Sequence, residues 1–307
     1  MILSGGFCAL YIPRAALYTL PMRFSIVILT HNNLARTQRC LSDLVAFTDC
    51  RDYELIVVDN GSADGTAEWQ RDTFAPLCKN RGVMLKRLRN STNIGCSPAR
   101  NQGIDAADGG LCVFLDNDVS PRTTRWLQGL EAALEPGVGM VGPKMVYPSR
   151  PHRIQCAGVG VSKRGNVMFL GRGEEIGAPP FNTPADVQAL ISACLLVPKK
   201  LLAEHGGFDP LFHPVQFEDF DLCYRLRGRG FRARCAPGVE MYHFESSTTR
   251  GVSGARNAAA VIRNGLAFKQ RWARVFENED GPPDALCRWR ELPPEVFAYD
   301  DAPLERI

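Results

Sequence analysis

Short, unbroken apolar runs alternate with amphipathic stretches through the first third of the chain. The run 24–30 (FSIVILT) is continuous and rich in β-branched residues, the pattern of a strand covered on both faces in a parallel sheet. His31, Asn32 and Asn33 end it. Over 34–47 the apolar residues Leu41, Leu44 and Val45 recur on one face, which predicts a helix. A second covered strand follows at 54–58 (ELIVV), then the turn cluster Asp59-Asn60-Gly61-Ser62 and a helix over 64–74. The cycle repeats with strand 83–88, helix 98–107 and strand 111–115. This βαβα succession predicts an α/β fold with a mostly parallel sheet between helices. Ligands of such sheets lie beyond the carboxyl ends of the strands, which is where Thr30, Asp59 and Asp116 fall.

After Pro121 the pattern loosens. It predicts a helix near 123–134, a strand over 139–147, and loops with an antiparallel ribbon through the Gly- and Pro-rich stretch that ends at Pro184. A covered strand at 188–197 (QALISACLLV), a short helix over 199–205 stopped by Gly206-Gly207, and a helix from Phe217 onward complete the body. Beyond Asn278 proline and charge dominate, the composition of a loosely ordered segment. At the other end, residues 1–21 lack a basic region ahead of their apolar part and carry Arg14 in the middle, which argues against a cleaved signal peptide. Met22-Arg23 just before the first strand offers an alternative start, leaving 1–21 as a loose extension.

Composition narrows the class. At 45% hydrophobic and 22% charged the chain has ample core, and a net charge of +3 spread among acids argues against a nucleic-acid partner. The basic stretch RLRGRGFRAR (225–234) reads first as a solvated face and second as a surface for anionic lipid or ligand. Eleven cysteines, odd in number and without CxxC spacing, read as reduced, buried thiols, the usage of a cytoplasmic protein. No apolar run approaches the roughly 20 residues of a membrane helix.

Chemistry concentrates in three places. GLCVFLDNDVSP (110–121) delivers Asp116 and Asp118 to one strand end with Asn117 turned aside, hard oxygen ligands suited to Mg2+ or Mn2+ beside a phosphorylated ligand. The bland alternative is a turn before Pro121. In FEDFDLCYRLRGRGF (217–231), Glu218, Asp219 and Asp221 crowd the first turn of a helix; helix capping explains some of that, but like charges held close also raise a carboxyl pKa toward the range of a general base. His243 in MYHFESS is either a structural histidine or a metal ligand. Asp59 heads a polar turn that is either an Asx turn or a nucleoside contact, and Arg100, after Asn93-Ile94-Gly95, either reaches phosphates or pairs with an acid.

Taken together, SIVILTHNN, LIVVDNGSADGT, NIGCSPARNQG, LDND, SACLLVPK, GGFDPLF and FEDFDLCYRLRGRGF resemble, in order and spacing, the family 2 inverting glycosyltransferases of GT-A fold, and among them the bacterial rhamnosyltransferase-like members. The resemblance spans 24–247. It implies a single GT-A domain over 22–278, with a nucleotide-binding half (22–121) and an acceptor half (122–278). It further implies a nucleoside-diphosphate sugar as donor and a glycan or lipid-linked glycan as acceptor, with a role in cell-envelope polysaccharide synthesis at the cytoplasmic face of the membrane. By the same resemblance Asp59 contacts the base, Asp116 the ribose, Asp118 and His243 the metal, and Asp219, with Glu218 as the alternative, serves as base; Thr30, Asn93 and Arg100 stand near the donor. The chain departs from the pattern in Thr30-His31-Asn32, where Thr-Tyr-Asn is usual, in Pro98 within the glycine-rich stretch, and in Tyr242-His243 for a paired His-His. A nucleotidyltransferase and a non-catalytic nucleotide-sugar-binding protein of the same fold are the rival readings, the first disfavoured by the lack of a basic Gly-rich loop near the first strand.

Overall fold

The computed structural model describes residues 22–49, 51–244, 254–299 and 304–307, so the expectation for 1–21 lies outside the described residues. The four sequence-predicted strands of the first half are present as β1 (Phe24–Thr30), β2 (Tyr53–Asn60), β3 (Met84–Asn90) and β4 (Leu111–Asp116). β4, β1, β2 and β3 lie side by side and parallel. Their apolar runs are continuous because both faces are covered: Ile26, Leu55, Ile56, Val57 and Val113 are fully buried. β3, at the edge, instead carries half-buried Lys86 and Leu88 between exposed positions, which suits a strand with one free side.

Helices α1 (Leu34–Phe47) and α4 (Cys96–Ala106) fall where the periodicity placed them, while the segment predicted as one helix over 64–74 is α2 (Thr66–Trp69), a π turn over Gln70–Phe74 and α3 (Ala75–Arg81) in succession. α4 lies close on β1 because residue 103 has no side chain: a Cβ there would sit 2.2 Å from Val27 Cγ1. Gly103→Val is expected to destabilise the fold by about 3 kcal/mol, since a clash against a packed strand is relieved only by backbone movement; urea unfolding followed by tryptophan fluorescence measures it.

The second half extends the same sheet. After β5 (Val119–Pro121), α5 (Trp126–Ala132), β6 (Val138–Val146), β7 (Ile154–Cys156), the hairpin β8 (Val159–Val161) and β9 (Val167–Phe169), and β10 (Ala185–Val187) come β11 (Cys194–Pro198), α6 (Lys199–His205), α7 (Glu218–Arg227), β12 (Arg232–His243) and α8 (Gly254–Glu277). The large sheet runs β10-β12-β6-β11-β4-β1-β2-β3, with β5 beside β12 and β7 beside β6. β11 enters antiparallel between β4 and β6, and β8 with β9 form a separate small antiparallel sheet.

Two differences from the sequence reading have clear causes. The strand expected over 188–197 is ladder only from Cys194, because its earlier polar groups are spent elsewhere: the Gln188 carboxamide pairs with Val161 and the Ser192 amide with Asp219. The short strand expected before His243 is twelve residues long, broken in register between Ala236 and Glu240, where Pro237 and Gly238 hide the pattern. The segment after Asn278, whose composition reads as loosely ordered, is tied to the body wherever it is described: Asp284 accepts from Asn166, Arg290 from the same segment pairs with Glu174, and Tyr242 donates to the Glu305 carbonyl. No described helix is long and apolar enough to cross a membrane, and the nine described cysteines are free thiols, most of them buried.

Candidate active site

Asp116 is the last residue of β4, and Asp118 sits in the two-residue turn that leads into β5. Asn117 does turn aside, donating to Thr37 Oγ1 at 2.8 Å. β5 runs antiparallel to the end of β12 with Val119 opposite His243, and the Phe244 N–H donates to the Asp118 carbonyl at 3.0 Å, so the ribbon carries Asp118 and His243 to one place. One ligand atom from each of Asp116, Asp118 and His243 lies within 4.8 Å of the others. His243 Nδ1 is 2.6 Å from Gln155 Oε1 and its Nε2 is 3.3 Å from Asp118 Oδ1. With the carboxamide oxygen accepting, Nδ1 carries the hydrogen and the Nε2 lone pair faces a carboxylate oxygen. Two acceptors face each other there unless a proton or a cation lies between them. This donor set, two carboxylates and an oriented imidazole, fits a divalent cation such as Mg2+ or Mn2+.

Arg100 joins this cluster to the second. Four residues into α4 and 4% exposed, it donates to Asp116 Oδ1 at 2.8 Å and to Glu218 Oε1 at 2.7 Å, with its guanidinium 5.3 Å from the Phe208 ring centroid. The alternative in which Arg100 pairs with acids is therefore realised, with both partners being site carboxylates. Glu218 and Asp219 open α7, preceded by Phe217 at φ 75°. Asp219 Oδ2 accepts from the Ser192 N–H at 2.9 Å and its hydroxyl at 3.3 Å, and Oδ1 accepts from the Phe220 N–H. Ser192 is next to Ala193, whose carbonyl takes the Asp116 N–H at 3.2 Å, so backbone of the segment before β11 spans the two clusters. Burial is the largest influence on both carboxyls and raises both above the usual range; Arg100 opposes this at Glu218, and the Ser192 N–H, Arg100 and the Phe220 N–H oppose it at Asp219.

The ends of β1 and β2 form the third part. Asp59, 1% exposed, accepts the Ser62 N–H on Oδ1 at 3.0 Å, as an Asx turn does; its buried Oδ2 has no hydrogen-bond partner among the described residues and lies 3.4 Å from Arg89 Nε. Glu218 Oε2 is likewise buried without a hydrogen-bond donor. Both oxygens are acceptors that a ligand N–H or O–H can satisfy. Asn93 is exposed and shapes the loop before α4: its Oδ1 accepts from Asn60 Nδ2 and from the Gly95 N–H, each at 2.9 Å. Gly61, at φ 79°, lets the 59–62 turn touch that loop, since a Cβ there would lie 2.6 Å from the Thr92 carbonyl carbon. Thr30 stands apart. Its hydroxyl is fully buried, accepts from Gln70 Nε2 at 3.1 Å and faces the Val58 carbonyl, so the side chain is part of the core and not of the site surface.

Sequence reasoning overlooked Gln155, Ser192 and Asn60. Each works by orienting another residue through one hydrogen bond, and only the turn cluster around Asn60 leaves a local mark; Gln155 and Ser192 sit in stretches that read as ribbon and strand.

Comparison with known proteins fits this arrangement. Residues 25–153 match the family model described as Glycosyl transferase family 2. The chain is 30% identical over 257 residues to the uncharacterized protein y4gI of Sinorhizobium fredii, an alignment of 81% of this chain and 27% of that one. It is 35% identical over 135 residues to the glycosyltransferase AglE of Haloferax volcanii, covering 43% of this chain and 42% of that one. It thus spans less than half the length of these relatives. Among solved structures, GalNAc-T7 with UDP, GalNAc and Mn2+ superposes with a TM-score of 0.65 at 16% identity, over 83% of this chain and 50% of that one. The fold is the GT-A fold of glycosyltransferases.

Proposed function

We propose that this chain is a family 2 glycosyltransferase that moves a sugar, of hexosyl or deoxyhexosyl type, from a nucleoside diphosphate to an acceptor hydroxyl with inversion at the anomeric carbon. The observation that carries the reading is the continuous acidic site itself: Asp116, Asp118 and His243 on one side, Glu218 and Asp219 on the other, with Arg100 bonded to both. The family match over 25–153 and the Mn2+ and UDP in the similar GalNAc-T7 structure support it.

Each residue then has a role in its own chemistry. Asp59 offers to an N–H of the base its Oδ2, which lacks a hydrogen-bond donor and is ion-paired only loosely with Arg89, and Asp116, held by Arg100, faces the ribose. Asp118 and His243 hold the divalent cation, which when bound supplies positive charge for the departing diphosphate. Asp219 takes the proton of the acceptor hydroxyl as that oxygen attacks, with its Oδ2 kept in place by Ser192. Glu218 is the less suited base because its Oε1 is already bound to a permanently charged guanidinium. The acceptor we assign is a glycan or lipid-linked glycan reached at the cytoplasmic membrane surface, an assignment that rests on the family resemblance, because Arg225, Arg227, Arg232 and Arg234 of the basic stretch 225–234 are each paired with an acid of the chain itself.

A panel of UDP-, GDP- and dTDP-sugars, read by release of the free nucleoside diphosphate with and without EDTA, tests the reading. One donor class is expected to turn over, with EDTA abolishing release and Mn2+ or Mg2+ restoring it, and the product anomer read by NMR is expected to be inverted. Donor binding without release from any member, in the presence of candidate acceptors, identifies a non-catalytic binding protein; consumption of a nucleoside triphosphate with a sugar phosphate identifies a nucleotidyltransferase.

A further inference from the structure

Residues 304–307 bond to the ribbon that carries Asp118 and His243 and to the turn that follows β5. Their backbone continues the ribbon's ladder: the Ile307 N–H donates to the Arg122 carbonyl at 2.8 Å and the Thr124 N–H to the Ile307 carbonyl at 2.6 Å. The Tyr242 hydroxyl, one residue before His243, donates to the Glu305 carbonyl at 2.9 Å while accepting from Arg122 Nε at 3.0 Å. Arg306 Nη2 donates to Asp43 Oδ2 of α1 at 2.9 Å and to the hydroxyl of Ser120, two residues after Asp118, at 3.4 Å; Ser120 in turn donates to the same Asp43 oxygen at 2.7 Å. The Arg306 guanidinium covers the Phe47 ring at 4.1 Å from its centroid. The side-chain contacts of Tyr242, Ser120, Asp43 and Phe47 fall close to Asp118 and His243 in the chain or on α1, and the two backbone bonds of Ile307 fall just past β5, at Arg122 and Thr124.

The ribbon needs such support. The β5 ladder is three residues long, Val119, Ser120 and Pro121 opposite His243, Tyr242 and Met241, with single backbone bonds beyond it from Phe244 to Asp118 and from Arg122 and Thr123 to Glu240, and a pairing that short gains from further support. At this end one further backbone bond, from the Phe244 N–H to the Asp118 carbonyl, holds Asp118, and His243 is the last member of the ladder, so fraying here moves the two groups first. Arg306 is an expensive way to obtain stability alone: its Nε and Nη1 are buried without hydrogen-bond partners among the described residues. What the arrangement specifies is position.

We propose that residues 304–307, through Arg306, act as a clamp that holds Asp118 and His243 at the spacing a divalent cation requires, making Arg306 a positioning residue that touches neither ligand. The proposal rests on the reading of Asp118 and His243 as the metal pair. Groups bonded directly to metal ligands change affinity by roughly 10- to 100-fold when removed, and Arg306, one contact further out, is expected at the lower end of that range.

The test is Mn2+ binding to the full chain by isothermal titration calorimetry, with far-UV circular dichroism as the check on folding. Arg306→Ala is expected to weaken Mn2+ binding about tenfold, to keep near-normal kcat once Mn2+ is saturating, and to be partly rescued by Arg306→Lys. A folded Arg306→Ala chain that binds Mn2+ as tightly as the wild type overturns the clamp. Should Arg306→Ala not fold, Asp43→Asn is judged by the same criterion. A wild-type chain that binds no Mn2+ overturns the metal reading itself, and the clamp with it.

Discussion

Asp219→Asn is expected to lower the transfer rate by roughly 10^3-fold while leaving donor affinity within about twofold, measured as kcat and as equilibrium binding of the nucleoside diphosphate. The substitution keeps the shape, and the carboxamide oxygen can still accept the Ser192 N–H now bonded to Oδ2. What it removes is the capacity to take a proton in the transition state. The pH profile gives a second readout. The base works only when ionised, so the rate rises with pH, and because burial raises the carboxyl pKa the acidic limb is expected above the usual carboxylate range. Glu218 adjoins Asp219 and is raised by burial too, so the limb belongs to the pair and not to one residue. Asp219→Asn should remove the limb along with the rate. A variant that keeps most of its activity, together with an inactive Glu218→Gln, would transfer the base role to Glu218.

Arg100→Ala is expected to destabilise the protein by about 3–5 kcal/mol at neutral pH, the usual result of stripping the partner from a buried ion pair. Glu218, 3% exposed, would keep one oxygen already without a donor and lose the guanidinium bonded to the other. Asp116 would lose its anchor at the same time. The sign of the pH dependence follows from Glu218. Its folded pKa lies above the unfolded value, so the folded chain holds this proton more tightly, and the group costs stability once pH rises through the folded pKa. Removing Arg100 takes away the influence that lowers that pKa, and the cost grows. The difference between variant and wild type should therefore shrink as pH falls toward about 5, where Glu218 is protonated in both. Urea unfolding across that range measures it; a pH-independent difference would place the loss in packing against Phe208, whose ring lies under the guanidinium.

Much of this was legible along the chain. β1 and α1 have the bounds that their apolar patterns predict, because a strand covered on both faces and a helix covered on one leave unambiguous periods of their own. Asp116 and Asp118 were legible because two acids directly after a buried strand are costly without a purpose. β12 was not, since the Pro237-Gly238 break in register carries no periodic signal. Thr30 and Asp59 both end parallel strands and both are buried, yet only the tertiary packing decides that the Thr30 hydroxyl is taken up by Gln70 while Asp59 Oδ2 keeps a free acceptor position. The bonds that the described parts of the segment after Asn278 make to the body were not legible, because composition reports what a segment cannot bury by itself, and not what a finished domain offers it to bond with.

The sequence by itself determined the alternation of strand and helix, and with it the parallel sheet whose strand ends collect Asp59 and Asp116; these are short-range properties, set by the period of apolar positions. Only the tertiary structure decided that Arg100 reaches Glu218, 118 residues away, while also holding Asp116, that Ser192 and Gln155 bond to Asp219 and His243, and that residues 304–307 bond to the ribbon. Those are bonds between segments far apart in the chain. A side chain's partner at that distance depends on how whole elements stack, and no local pattern encodes it.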